Sequence, residues 1–155
     1  MLTVGAVVVA AASADASLRA RSSLRLRGVV TGVVSSEVLA VRLASGKRER
    51  VRLIGVDAPA RGACFGVAAE RGLRAFAAGK RVTLTGDPSQ RQRDGGGRLL
   101  AYVLVRRGVD LGGTLIGGGF ARVAVSAGAF HKRPTYRVLQ SAARAQRLGL
   151  WRSCG

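Results

Sequence analysis

The sequence predicts a small α+β domain of five strands interrupted by one helix, with two further helices behind them. Three observations carry this. Val-rich runs, each bounded by turn-forming residues, fill the first third of the chain. A helical pattern over residues 66–78 ends at Gly79. An amphipathic run over 134–148 closes the chain, with Pro134 suited to its first turn. This pattern leaves a closed barrel and an open sheet as alternatives.

The elements follow in order. Residues 28–34 and Val38–Leu43 read as strands around Ser35-Ser36-Glu37. Ala44-Ser45-Gly46-Lys47 is a turn, and residues 48–56 form a third strand. Within it Val51 and Leu53 alternate with Arg48, Arg50 and Arg52, so one face is apolar and the other a basic stripe. Pro59 cannot continue a ladder and ends the meander. Helix 66–78 has Val67, Leu73, Phe76 and Ala77 available for its inward side. Arg81–Thr85 and Leu99–Val105 are the last two long strands. The Gly-rich stretch 86–97 between them, carrying Arg91, Arg93 and Asp94, reads as a flexible surface loop. A short helix over 110–116, a strand over 120–125 and helix 134–148 complete the order. In that last helix Tyr136, Leu139, Ala142, Ala143 and Gln146 share one side.

The 155 residues suit one domain, and a 48% hydrophobic fraction suffices to fill its core. The net charge of +18 attracts polyanions, of which nucleic acid is the usual one. Against this, 23 of the 26 basic residues are Arg beside abundant Ala and Gly, a bias that GC-rich coding produces unaided. Acidic residues number only eight, so any hard-metal site or general base must come from Asp15, Glu37, Glu49, Asp57, Glu70, Asp87, Asp94 and Asp110. His131 is the only histidine, which excludes imidazole-rich zinc sites and paired-histidine mechanisms.

The apolar run from Leu2 to Ala12 is too short to span a bilayer comfortably. Ala14-Asp15-Ala16 fits a small-residue cleavage site, although the positive n-region of such leaders is missing. Residues 1–16 therefore read as a signal peptide, with a buried N-terminal strand as the alternative, and 17–27 as a linker before the domain at 28–155. Cys64 and Cys154 fit an exported chain with one disulfide, located outside the cell or in its envelope; the alternative is two unrelated thiols. The bridge would close about 90 residues, worth about 4–5 kcal/mol by chain entropy.

Four segments carry a resemblance. They are Val51-Arg52-Leu53-Ile54-Gly55-Val56-Asp57-Ala58-Pro59; Cys64-Phe65-Gly66; Asp94 through Gly97-Arg98-Leu99-Leu100-Ala101-Tyr102; and Gly149-Leu150-Trp151. In order and spacing they resemble the thermonuclease (staphylococcal-nuclease-like) family over about residues 28–154. The resemblance implies a five-stranded OB-type barrel with about three helices, and Ca²⁺-dependent hydrolysis of DNA or RNA phosphodiesters. It further implies that Arg52 and Arg98 bind the phosphate, where the guanidinium fork suits its oxygens. Asp57 matches a calcium-ligand carboxylate, and Glu37 stands where a second acidic ligand is found.

The departures are specific. Ser35 replaces one carboxylate of the family's metal turn, and Ala60 stands where the catalytic glutamate is found. Val125 and Ala127 replace tyrosines that flank the nucleotide. Losing a general base costs about 10²–10⁴ in rate. Three readings follow. One is a monomeric domain that binds nucleic acid or another polyanion, with hydrolysis lost or impaired. The second is an active nuclease with a rearranged site, in which Glu37 and Asp57 hold the cation and Asp94 serves as base. The third is a structural or protein-interaction domain. Arg48, Arg50, Arg91, Arg93 and Lys132 are the candidate contacts to a polyanion beyond the phosphate pair.

Overall fold

A computed structural model describes residues 24–154. The expected leader and most of the expected linker lie outside the described residues. The strands are β1 (Arg25–Ser35), β2 (Val38–Leu43), β3 (Arg48–Leu53), β4 (Val56–Asp57), β5 (Arg81–Thr85), β6 (Leu99–Val105), β7 (Val109–Asp110) and β8 (Arg122–Val123). The helices are α1 (Gly66–Ala77), α2 (Leu111–Gly117), α3 (Arg133–Ala145) and α4 (Leu150–Ser153).

The sheet runs β3-β2-β1-β5-β6-β7, and a parallel pairing of β3 with β6 closes it into a five-stranded mixed barrel. Closure needs a strand that can bend. β1 supplies it, with register shifts between Val30 and Gly32 and between Val33 and Ser35. Its first half pairs with β5 while its longer stretch pairs with β2. Gly28 sits where the two pairings overlap. A Cβ there would come within 2.6 Å of the Arg42 carbonyl oxygen.

Alternation decides what fills the barrel. Val51 and Leu53 of β3, Val82 and Leu84 of β5 and Ala101 and Val103 of β6 are buried, joined by Leu39 and Val41 of β2. α1 buries Ala69, Leu73 and Ala77, spaced four apart on one side of the helix. α3 buries Tyr136 and Ala143 with Leu139 half-buried, while Ala142 and Gln146 of its expected apolar face lie exposed. Asp110 caps α2 by accepting from the Gly112 N–H at 3.2 Å. The α4 segment brings Cys154 to Cys64, and the two form a disulfide with Cα atoms 5.9 Å apart.

The structure differs from the sequence expectations at several boundaries. β1 begins at Arg25, so the last residues of the expected linker belong to the barrel, because 25–29 find partners in β5. The third strand ends at Leu53. Gly55 then turns with φ +74°, and Val56–Asp57 leaves to pair with β8. The strand expected over 120–125 shortens to Arg122–Val123. The segment 86–97 is not a free loop. Its Asp87 is buried, and its far end folds back as a hairpin in which Arg93 bridges Leu99.

Candidate phosphate-binding site

Arg52 lies on β3 and Arg98 immediately precedes β6, and these are the two strands whose parallel pairing closes the barrel. Leu100 is the register partner of Arg52. Arg98, two residues earlier, therefore shares its face at a Cα diagonal of about 8 Å, from ordinary strand spacing and rise. Both side chains are part exposed, at 31% and 35%. Barrel closure thus places side by side two arginines 46 positions apart in the chain.

Each arginine is held by one carboxylate. Glu37, in the β1–β2 turn, accepts from Arg52 at 3.0 Å and from the Ala58 N–H at 3.3 Å. The Leu53 N–H donates to the Glu37 carbonyl at 3.1 Å, which fixes the turn against β3. Ser36 donates to the Pro59 carbonyl at 2.8 Å, so the Asp57-Ala58-Pro59 turn is tied to the same place.

Asp94 is more tightly engaged. Its Oδ2 accepts from Arg98 Nε at 2.6 Å, and its Oδ1 accepts from the Gly96 and Arg98 N–H groups at 2.9 and 3.0 Å. Burial pushes the Asp94 carboxyl up, but these hydrogen bonds and the guanidinium charge more than reverse it, leaving it below the ordinary carboxylate range. A cleft of about 150 Å³ opens beside the pair, with Arg52, Asp94, Gln90 and Ser126 contributing its polar wall.

Gln90 and Ser126 were not among the residues the sequence singled out. Gln90 lies in the segment that composition reads as a loop, yet its amide donates to the Ala127 and Ala129 carbonyls at 2.7 and 2.6 Å. That contact fixes the wall containing Ala127, while Val125 lies exposed outside the cleft lining, and neither presents an aromatic surface for a base.

The other expected residues divide. Asp57 is exposed on β4, opposite Arg122 in the β4–β8 pairing, and its carboxylate has no ion-pair partner among the described residues. Arg48 and Arg50 are exposed on β3, and Arg91 is exposed in the 86–97 segment. Arg93 instead forms a two-armed pair with Glu49 at 2.8 and 2.9 Å and donates to the Gly97 carbonyl. Lys132 pairs with Asp110 at 2.8 Å and lies 4.7 Å from the centre of the Tyr102 ring. The charges of Arg93 and Lys132 are thus committed inside the fold, because the scarce carboxylates lie nearest to them.

Calcium takes six to eight oxygen ligands at about 2.3–2.6 Å. Of the two carboxylates implied for it, Glu37 is bound to Arg52, and Ser35 and Ala60 add no charge. Among the described residues no group of three or more Asp, Glu, His or Cys side chains is clustered to hold a metal ion. This donor set does not meet the demand of a calcium site. What the arrangement offers is two fork-shaped cations in fixed orientation beside a small cleft, which suits an anionic phosphate.

Comparison with known proteins gives this fold a family. Residues 50–153 match the family described as Staphylococcal nuclease homologue. A protein of Escherichia coli O157:H7 described as an uncharacterized endonuclease is 32% identical over 126 residues, covering 81% of this chain and 77% of its own length. A second Escherichia coli protein of the same description gives the same figures. The chain belongs to the staphylococcal nuclease homologue family. The matched span includes Arg52, Ala60, Cys64 and Arg98.

Proposed function

We infer that the domain binds nucleic acid through Arg52 and Arg98 and that its hydrolytic machinery is lost or severely impaired. Nucleic acid as the ligand is supported by family membership and by the endonuclease description of the relatives. The observation that carries the loss of hydrolysis is the pairing of Asp94 with Arg98 at 2.6 Å, in a chain whose position 60 is an alanine. A general base works best with a pKa near the operating pH. Asp94 is held below the carboxylate range and is spent on the cation that would bind the phosphate. Ala60, an exposed methyl, cannot replace it. The disulfide and the apolar start of the chain support an oxidising location outside the cytoplasm.

The test is incubation of the oxidised chain with heat-denatured DNA, with Ca²⁺, Mg²⁺, Mn²⁺ or a chelator, beside an Arg98→Ala variant. The reading expects no cutting under any condition, with salt-sensitive retention of the DNA. Loss of one cationic contact should weaken binding about fivefold at 0.1 M salt, from a single-strand slope of about 0.7 per contact. Metal-dependent cutting that Arg98→Ala abolishes would refute it and restore the active-nuclease reading.

A further inference from the structure

We propose that the outer face of β2-β1-β5-β6 is a second nucleic-acid backbone site, at the opposite end of β6 from Arg52 and Arg98. A groove of about 650 Å³ opens there, and Arg25, Arg27, Arg42, Arg81, Arg106 and Arg107 line it with no acidic side chain among them. They arrive from four separate parts of the chain. β1, β2 and β5 supply the first four, and the short turn after β6 supplies Arg106 and Arg107. None of the six has an ion-pair partner among the described residues. Val29 and Leu104 add apolar surface to the groove.

Register makes the convergence a property of the fold. Val29 pairs with Arg42 on one side and Arg81 on the other, so the two arginines share a cross-strand row. Arg42 is in turn opposite Arg48 of β3, and like charges directly opposite destabilise a sheet. The next row along β1 holds Arg27, opposite Thr83, which is itself opposite Leu104. Arg107 adopts φ +59° at the end of this surface, followed by Gly108 at +75°, which turns the chain back into β7. Repulsion that the protein itself leaves uncompensated is relieved by a bound polyanion, and arginine forks match phosphate oxygens.

From Arg98 to Leu104 the chain advances six residues along β6, or ~20 Å at ordinary strand rise. The groove is therefore a separate contact on a strand long enough to reach both ends. The identity of the anion rests on the nucleic-acid reading above; the site itself rests on the six arginines. Because guanidinium contacts to phosphate carry no base information, the groove binds without regard to sequence.

The experiment compares the oxidised chain with an Arg27→Ala/Arg81→Ala/Arg106→Ala variant, its Lys counterpart and an Arg52→Ala/Arg98→Ala variant. Each is titrated with an oligodeoxythymidine of about 30 nucleotides across a salt series, and with vesicles of phosphatidylcholine and phosphatidylglycerol. Thermal melts confirm that the variants fold. The groove Ala variant should lose about 2 from the slope of log affinity against log salt, and roughly a hundredfold in affinity at 0.1 M salt. The Lys variant should keep most of the slope. An unchanged slope and affinity in the folded Ala variant overturns the proposal, as does failure of the parent to bind DNA. Loss of vesicle binding alone makes the groove a membrane-facing surface and also overturns it. Binding lost only in the Arg52→Ala/Arg98→Ala variant leaves the phosphate site standing and removes the groove; binding lost only in the groove variant does the reverse.

Discussion

Removing the Asp87 carboxylate tests what holds the wall of the cleft in place. Asp87 is only 3% exposed. Its Oδ1 accepts from Ser89 N–H and Oγ at 2.9 and 2.6 Å, and its Oδ2 accepts from Tyr102 O–H at 2.5 Å and His131 N–H at 2.6 Å. Tyr102 in turn accepts from the Lys132 N–H at 3.2 Å. One carboxylate thus joins β6, the 86–97 segment and the approach to α3. Asp87→Ala would strand the Tyr102 hydroxyl and the His131 N–H, each costing about 1–3 kcal/mol when buried without an acceptor. Adding the weaker loss at exposed Ser89 gives about 3–5 kcal/mol. For a domain of this size that lowers Tm by roughly 10–20 °C. Burial pushes the Asp87 carboxyl up, yet the bonds from Ser89, Tyr102 and His131 outweigh it, so it stays below its ordinary value. A lowered pKa means the contribution is complete above about pH 4 and fades as pH falls further. The assay is a thermal melt at neutral pH of Asp87→Ala, Tyr102→Phe and the double variant. The two single effects should overlap, with a coupling of at least about 1 kcal/mol. A Tm drop below ~3 °C for Asp87→Ala, or strict additivity of the pair, would refute the reasoning.

Two further outcomes are expected. Reducing the Cys64–Cys154 bridge, which spans 90 positions, should cost about 4–5 kcal/mol and lower Tm by roughly 12–25 °C, read by melts with and without a thiol reductant. Glu49 is held at a pKa of about 2, first by its hydrogen bond to Arg93 against the opposing effect of burial, and then by Lys47. Its stabilising contribution is therefore full above the unfolded value near 4.5 and is lost as pH falls from there towards 2. Glu49→Gln should flatten that part of a stability–pH profile, and a profile unchanged over that window would count against the pairing.

The strands were legible where short apolar runs are bounded by turn-forming residues. Val38–Leu43, Arg81–Thr85 and Leu99–Val105 fall where the sequence placed them, although only Arg81–Thr85 alternates strictly between buried and less buried positions. Barrel closure was not readable from periodicity, because the β3–β6 pairing depends on bulges in β1 whose sequence is plain Val, Thr, Gly and Ser. The segment 86–97 misled for a related reason. Its Gly, Pro and Gln content describes a loop, while its order comes from Asp87 meeting Tyr102 and His131, residues 15 and 44 positions away. Arg52 and Arg98 could be named from their motifs. Which arginines the protein neutralises could not, because partner choice is decided by the fold.

That choice follows from scarcity. Seven acidic residues lie among the described residues, and Asp57 alone of them makes no hydrogen bond or ion pair through its carboxylate. Glu49 serves Arg93 and Lys47, Glu70 serves Arg61 and Arg74, and Asp110 serves Lys132 while capping α2. These five cations are held by carboxylates that also brace the fold. Glu37 and Asp94 act differently, for Glu37 holds Arg52, which lines the cleft, and Asp94, itself in the cleft wall, holds Arg98. Such a carboxylate orients the guanidinium before a ligand comes, and it also competes with the ligand. A phosphate entering there must displace or share the carboxylate's bonds, so the pair gains order and loses avidity. The arginines of the β2-β1-β5-β6 face have no such competitor, and their attraction for a phosphate chain is undiminished. In a protein of net charge +18, the few negative charges therefore decide which arginines brace the fold, which are oriented by a carboxylate where the barrel closes and which are left without an ionic partner among the described residues.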